Sequence, residues 1–267
     1  PVHRWLPAAM VAPTPVSALL HAVAVVKAGV FTVTKVIIYI FGVEFLFAEP
    51  SSGWLVYAAA FTIIAASVVA LRQQNLKRLL AYSTVAQLSY VVMATAILKP
   101  LAEIGEAVHM VAHAFGKITL FFAAGAIYTA SKKTELNQLR GIGTQMPWTM
   151  AAFVAGGLSL IGIPGTAGFI SKWYLITAAL EYGSLGIALV TVLVISSLMA
   201  VVYIWRIIEA IYFAEPVADQ SAIREAPRMM LLITWVAALA NLYFGLVPEV
   251  PVKLASSAAD TLLEHLP

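Results

Sequence analysis

The chain contains no cysteine, so disulfides, thiolate metal sites and cysteine nucleophiles are excluded. Charge is also scarce. Asp, Glu, Lys and Arg make up 11% of 267 residues, where a soluble globular chain carries about 25%. No segment has the Walker A spacing, a strand followed by G-x-G-x-x-G, or the G-x-S-x-G nucleophile elbow. Nucleotide, flavin and serine-hydrolase sites therefore find no sequence support. The basic loops are short and form no tract that would suit nucleic acid. The chain starts Pro1-Val2-His3-Arg4, without Met and without a signal-peptide pattern.

Apolar residues are abundant. They make up 61% of the chain, and mean hydropathy is +0.91. Seven apolar segments lie at about 15–41, 54–71, 79–98, 105–130, 147–181, 185–213 and 229–247. A bilayer needs about 20 apolar residues per helical crossing, so an all-α polytopic membrane protein with about seven transmembrane helices is expected. The fifth segment is too long for one straight helix and carries "GIPGTAG" (162–168) in its middle. Proline and glycine break helical hydrogen bonding. Inside a membrane such a break persists only where protein or a water-filled cavity satisfies the freed backbone, so one discontinuous helix is expected there. The alternative is two short helices meeting at a buried kink.

Loop charge predicts topology. With residues 1–14 on the cytoplasmic side, that side holds Arg4, Arg72, Lys77, Arg78, Lys132, Lys133, Arg140, Arg206, Arg224 and Arg228, ten in all. The opposite side holds Lys99 and Lys253. This predicts a cytoplasmic start, seven crossings and a C-terminus on the outer face. The polar stretch 215–228 reads as a connection, and the weakly amphipathic tail from Val247 as interfacial.

The remaining lysines, Lys27, Lys35, Lys117 and Lys172, lie within the spans. A charge at the bilayer centre costs about 2.5–3.5 kcal/mol on insertion scales. Lys35 is near a span end, where it can snorkel. His109, His113 and Lys117 are spaced i, i+4, i+8, so they form one helical stripe. Lys172 follows the break, where Ser171 and freed carbonyls are available to solvate it. His21 and Lys27 are six residues apart, about 240° around a helix, and need not share a face. Loss of water disfavours an ammonium, and histidine exchanges protons near neutral pH. A string of these groups bridged by water would serve as a proton wire, with Tyr82, Ser83, Thr84, Gln87 and Tyr90 as polar support. The two alternatives are a metal pair and simple interhelical hydrogen bonding. His109 and His113 have helical metal-pair spacing, but Met110 stands where a zinc protease has Glu, and no third ligand is near.

Four stretches carry a family resemblance: "HRWLPAAMVAPTPVSALLHAVAVVKAG" (3–29), "NLKRLLAYSTVAQLSYV" (75–91), "HMVAHAFGKITLFFAAGAI" (109–127) and "LSLIGIPGTAGFISKWYL" (158–175). They resemble the antiporter-like membrane subunits shared by respiratory complex I, Mrp-type multisubunit cation/proton antiporters and membrane-bound hydrogenases. In general appearance they are nearest to the D-type subunits of the Mrp antiporters. The resemblance implies a fold of fourteen core helices with two inverted five-helix repeats, each a half-channel around a broken helix. It covers the later part of that fold. Residues 1–53 are similar to the end of the first half-channel and its bridging helix, 54–213 to the second half-channel repeat, and 214–267 to a loop, a last helix and a tail. It further implies that Lys117 is the central lysine, with His113 and His109 on the connecting path. Lys172 matches the terminal proton carrier, and His21 and Lys27 match the bridge between half-channels. The family's Glu–Lys pair of the first repeat would precede residue 1, so the chain is expected to be the C-terminal part of a longer protein.

The expected function is proton translocation in a bacterial cytoplasmic membrane, as one subunit of a multisubunit Na⁺ (or K⁺)/H⁺ antiporter. The path would run from His21/Lys27 through Lys117 and His113 to Lys172. Partners would be other membrane subunits, the lipid bilayer and the transported ions, with no nucleic acid and no cofactor or metal in this chain. The rivals are a proton-pumping subunit of an NADH:quinone oxidoreductase or hydrogenase complex, a truncated scaffold that transports nothing, and a metal-dependent membrane hydrolase.

Overall fold

The computed structural model describes residues 5–49, 53–216 and 223–264. Arg4 of the loop-charge count, part of the 215–228 connection and the last three residues of the tail lie outside the described residues. Twelve α-helices follow one another among the described residues: α1 (Trp5–Ala8), α2 (Thr14–Ala18), α3 (Val25–Lys35), α4 (Val43–Ala48), α5 (Trp54–Arg72), α6 (Leu76–Ile97), α7 (Pro100–Ser131), α8 (Pro147–Ile161), α9 (Ala167–Leu180), α10 (Gly186–Ile208), α11 (Arg228–Leu246) and α12 (Glu249–Glu264). Among the described residues six helical stretches are long and apolar enough to span a bilayer: Thr14–Phe41, Trp54–Arg72, Leu76–Ile97, Pro100–Ser131, Gly183–Phe213 and Arg228–Leu246. The pair α8 and α9 makes a seventh, broken, element, as the GIPGTAG pattern predicted. The chain is an all-α integral membrane protein.

α6 and α7 form the centre. α6 is enclosed on nearly every face, by α5, α7 and the α3 segment. α7 packs against α6, α8, α9, α11 and α12. The outer helices have two kinds of face. α10 buries Leu189, Leu193, Ala200 and Tyr203 while exposing Ile187, Leu198, Val202 and Trp205. In water such a surface would be an interaction patch; here it matches a helix that meets lipid on one side.

The first span is not the plain helix that its apolar run suggests. Leu19–Val23 is a π-turn, closed by the Ala24 N–H donating to the Leu19 carbonyl at 3.0 Å. The inserted residue shifts the register and turns His21 fully inward. Lys35 stays exposed near the far end, with its ammonium over the rings of Phe31 and Tyr39. The tail from Glu249 forms α12, which buries Ala255 and Ala259 and packs on α7 and α11.

One end of the bundle is knitted by polar contacts. Lys77 Nζ donates to the Ala12 carbonyl at 2.6 Å. Asn75 caps α6 and donates to Thr134 and Glu135, while Gly141 N–H donates to the Ala210 carbonyl. Arg206 reaches the Leu71 carbonyl. The loops rich in Lys and Arg therefore gather at one end, as alternating crossings require.

The break depends on backbone geometry. α8 ends at Gly162 with φ +91°, a left-handed C-cap. Gly165 also has positive φ, and α9 starts two residues later at Ala167. Gly168 lets α9 touch α8 directly: a Cβ there would overlap the Ser159 carbonyl oxygen. Gly168→Ala should lower the melting temperature of the solubilised protein, at an overpacking cost of about 1–3 kcal/mol. Gly29→Ala, where nothing lies within 4 Å, should be neutral or slightly stabilising. A thermal shift assay on both variants tests this, and equal melting temperatures would refute it.

Candidate functional site

The titratable groups predicted from sequence converge on one face of α7 and on the break. His109, His113 and Lys117 are all buried, with exposures of 2%, 5% and 0%. Each is met by a different element. Lys27, from α3, donates from Nζ to the Met110 carbonyl at 2.8 Å and lies 2.9 Å from His113 Nδ1. His109 Nδ1 lies 2.9 Å from the Ser171 hydroxyl, one residue before Lys172 on α9. Lys117 Nζ donates to the Leu80 carbonyl at 2.9 Å and to the Ser83 hydroxyl, both on α6.

Lys172 sits in a cradle made by the break. Its Nζ donates to the carbonyls of Leu160 at 3.0 Å and Ile161 at 2.7 Å, and to the Ser197 hydroxyl of α10 at 2.9 Å. Leu160 and Ile161 are the last residues of α8, whose carbonyls have no helical N–H ahead of them. A cation at a helix C-terminus is also favoured by the helix dipole. The Tyr90 ring lies 5.5 Å beneath the ammonium. Three acceptors match the three protons of an ammonium, whereas Lys27 and Lys117 each meet two partners among the described residues.

The cradle differs in one respect from expectation. The freed carbonyls do solvate Lys172, but the hydroxyl on it is Ser197. Ser171 instead donates to the Gly168 carbonyl and faces His109. Ser197 lies 25 residues further along the chain, and only the packing of α10 against α9 brings it in. A small cavity of about 10 Å³ lies between the histidines and the break, lined by Gln87, His109, His113, Ser159 and Gly168. That is near the least space that holds one water.

His21 stands apart. It is fully buried against the Phe121 ring, 5.5 Å between centroids, and neither ring nitrogen has a hydrogen-bond partner among the described residues. It does not bond Lys27; the six-residue spacing and the π-turn place the two on different sides. Lys117 and Lys172 are likewise not in direct contact. The link between α7 and the break is made by His109. The sequence reading overlooked two carboxylates on α7, Glu103 and Glu106. Both are buried, and they extend the His109–His113–Lys117 stripe by one and two turns. Their three-residue spacing ahead of His109 was the available signal. Among the described residues no three His, Asp or Glu side chains come together as a metal site, and Lys27 occupies the Nδ1 side of His113.

The chain is similar in sequence and fold to known proteins. The family model described as "NADH:quinone oxidoreductase/Mrp antiporter, TM" matches residues 1–200. The NADH-quinone oxidoreductase subunit N of Desulforudis audaxviator is 40% identical over 219 residues, 79% of this chain and 42% of that protein. A probable K(+)/H(+) antiporter protein of Rhizobium meliloti is 36% identical over 253 residues, 93% of this chain and 25% of that protein. The fold is similar to a chain of the Mrp complex from Dietzia sp. DQ12-45-1b, with TM-score 0.86 and 23% identity, covering 98% of this chain and 56% of that one. The chain thus spans less than half the length of these two curated relatives. It belongs to the transmembrane family shared by NADH:quinone oxidoreductases and Mrp antiporters.

Proposed function

We propose that this chain is a proton-translocating subunit of a multisubunit Na⁺/H⁺ antiporter in a bacterial cytoplasmic membrane. Its basic loop end would be cytoplasmic and its C-terminus on the outer side. The observation that carries the reading is the contact between Lys27 Nζ and His113 Nδ1 at 2.9 Å, inside the membrane and across two helices. Neither group has a carboxylate in ion-pair range among the described residues. A lysine amine and an imidazole in hydrogen-bond contact pass one proton between them with no other bond changing. His109, one turn from His113, meets Ser171 beside Lys172, so the same stripe leads to the broken helix. Lys117 lies on the other side of His113, against α6 near its basic end. The supported order is Lys117, His113 with Lys27, His109, then Lys172. His21 enters only as a buried neighbour of α7 through Phe121. The partners would be further membrane subunits and the exchanged cation.

A second reading, a proton-pumping subunit of an NADH:quinone oxidoreductase, is favoured by the 40% identity to subunit N. Inverted membrane vesicles carrying the native operon separate the two. The antiporter reading expects proton movement on adding Na⁺ or K⁺, lost on Lys117→Ala. Proton movement driven by NADH oxidation and indifferent to added cation would replace it with the second reading. Movement unchanged in the mutant would return the stripe to a structural role.

Lys172→Ala should reduce proton flux by roughly tenfold to a hundredfold, since charge-assisted hydrogen bonds are worth about 1.5–3 kcal/mol each and about 1.4 kcal/mol is tenfold in rate. Lys35→Ala, at an exposed position away from the break, should leave flux within a factor of about two by the same conversion. Equal flux in the two variants, at equal expression, would overturn the assigned path.

A further inference from the structure

Glu106 takes no part in the path above, yet it is only 2% exposed and has an unusual set of partners. Thr95, from α6, places its hydroxyl 2.6 Å from Glu106 Oε2. Thr34, from the first span, bonds Glu106 Oε1. The two threonine hydroxyls are 3.1 Å apart. Three helices thus close a ring of oxygens: Oε2, Thr95, Thr34 and Oε1. The ring has three oxygen–oxygen links. Each threonine brings one proton, so with an ionised carboxylate two protons serve three links and one link sets lone pairs against each other. A proton on the carboxyl fills the third link and closes the ring. The hydroxyls also lie 3.1 Å from the Val30 and Val91 carbonyls, one turn back on their own helices; using those would leave the ring shorter still of protons.

A second, independent observation points the same way. Glu103, one turn from Glu106 on α7, is 8% exposed, and its Oε2 has no hydrogen-bond partner among the described residues. A buried carboxylate oxygen without a donor is costly while charged, and protonation removes that cost. No Lys, Arg or His is in ion-pair range of either carboxylate among the described residues. The titratable groups nearest along α7 are each other, His109, and Lys99 at the N-cap, one turn before Glu103; Lys27 lies two turns from Thr34 on the first span. From α6, Thr95 faces Glu106. His109 Nε2, one turn from Glu106, is also unpartnered among the described residues. The oxygen separations of 2.6 and 3.1 Å are hydrogen-bond lengths. A metal cation in the ring would have to spread its ligands.

We propose that Glu106 is a protonated carboxylic acid, held by Thr34 and Thr95, that forms a second proton branch on α7, from His109 through Glu106 and Glu103 to the α6–α7 turn. In one transfer Glu103 first releases its own proton at the α6–α7 turn. The Glu106 O–H then breaks as a new O–H forms on Glu103, and the N–H of the His109 imidazolium breaks as a new O–H forms on Glu106. The branch leaves the stripe at His109, where the path to Lys172 leaves for α9, and it rests on the proton-translocating reading.

The test uses the complex expressed from its native operon and has two readouts. Infrared difference spectroscopy of the reconstituted complex should show carboxylic-acid C=O intensity that shifts in deuterated water, with one component that disappears in Glu106→Gln and a second, from Glu103, that disappears in Glu103→Gln. Persistence of the first component in Glu106→Gln, or its absence from the unmutated complex, overturns the proposal whether or not the complex transports. Proton flux is then compared in Lys172→Ala with and without Glu106→Gln. A further fall to background in the double variant supports the branch, and flux equal to that of Lys172→Ala alone overturns it. Thr34→Val with Thr95→Val keeps the carboxyl but removes the ring, and should move the Glu106 component without abolishing it. If the unmutated complex carries the Glu106 component but moves no protons, the translocation reading fails and the branch with it, while the protonated state of Glu106 stands.

Discussion

The ammonium of Lys172 on the open end of α8 holds the site together. A helix that stops inside a membrane leaves carbonyls without donors, and a lysine inside a membrane lacks water. Each cost is several kcal/mol alone, and each removes the other. Leu160 and Ile161 turn their carbonyls to Nζ, and Ser197 completes the set. The left-handed turn at Gly162 and the bare Cα of Gly168 give α8 and α9 the close approach this needs. With α9 held there, Ser171 meets His109, and the α7 stripe joins the break.

The same constraint explains the basic groups along α7. Burial excludes water from them, so every proton they carry needs an acceptor supplied by protein. Lys27 finds a carbonyl and an imidazole, and Lys117 a carbonyl and a hydroxyl. None is neutralised by an ion pair among the described residues; the pair seen there joins exposed Lys253 and Glu249. A fixed ion pair would trap a proton, because removing one partner's charge leaves the other exposed to the full desolvation cost. Neutral acceptors hold a proton loosely enough for its position to change. Glu103 and Glu106 are the acidic continuation of this stripe toward the opposite end of α7.

Much of this was legible without coordinates. The spans follow from apolar run length, since a bilayer demands about 20 apolar residues per helix. The break follows from Pro164 between Gly162 and Gly165, and the stripe from the i, i+4, i+8 spacing. The pairing of loops at one end follows from where Lys and Arg fall. Glu106 was passed over because nothing in the sequence shows that an acid near the start of a span is buried; its 2% exposure follows from the packing. The π-turn at Leu19–Val23 leaves no mark that periodicity detects, because His21 is flanked there by apolar residues on all sides and one added residue shifts no polar stripe.

Hydropathy and spacing along the chain are enough to set the helical, membrane-spanning architecture, the position of the break, and which residue types share a face of α7. Those are local properties, governed by apolar run length and by a period of 3.6 residues. Which groups touch is a matter of packing. Lys27 reaches His113 across 86 positions, Thr34 reaches Glu106 across 72, and Lys172 reaches Ser197 across 25. A hydrogen bond turns on a few tenths of an ångström between atoms on different helices. No spacing along the chain encodes that distance; it is fixed by how α3 packs against α7 and α10 against α9.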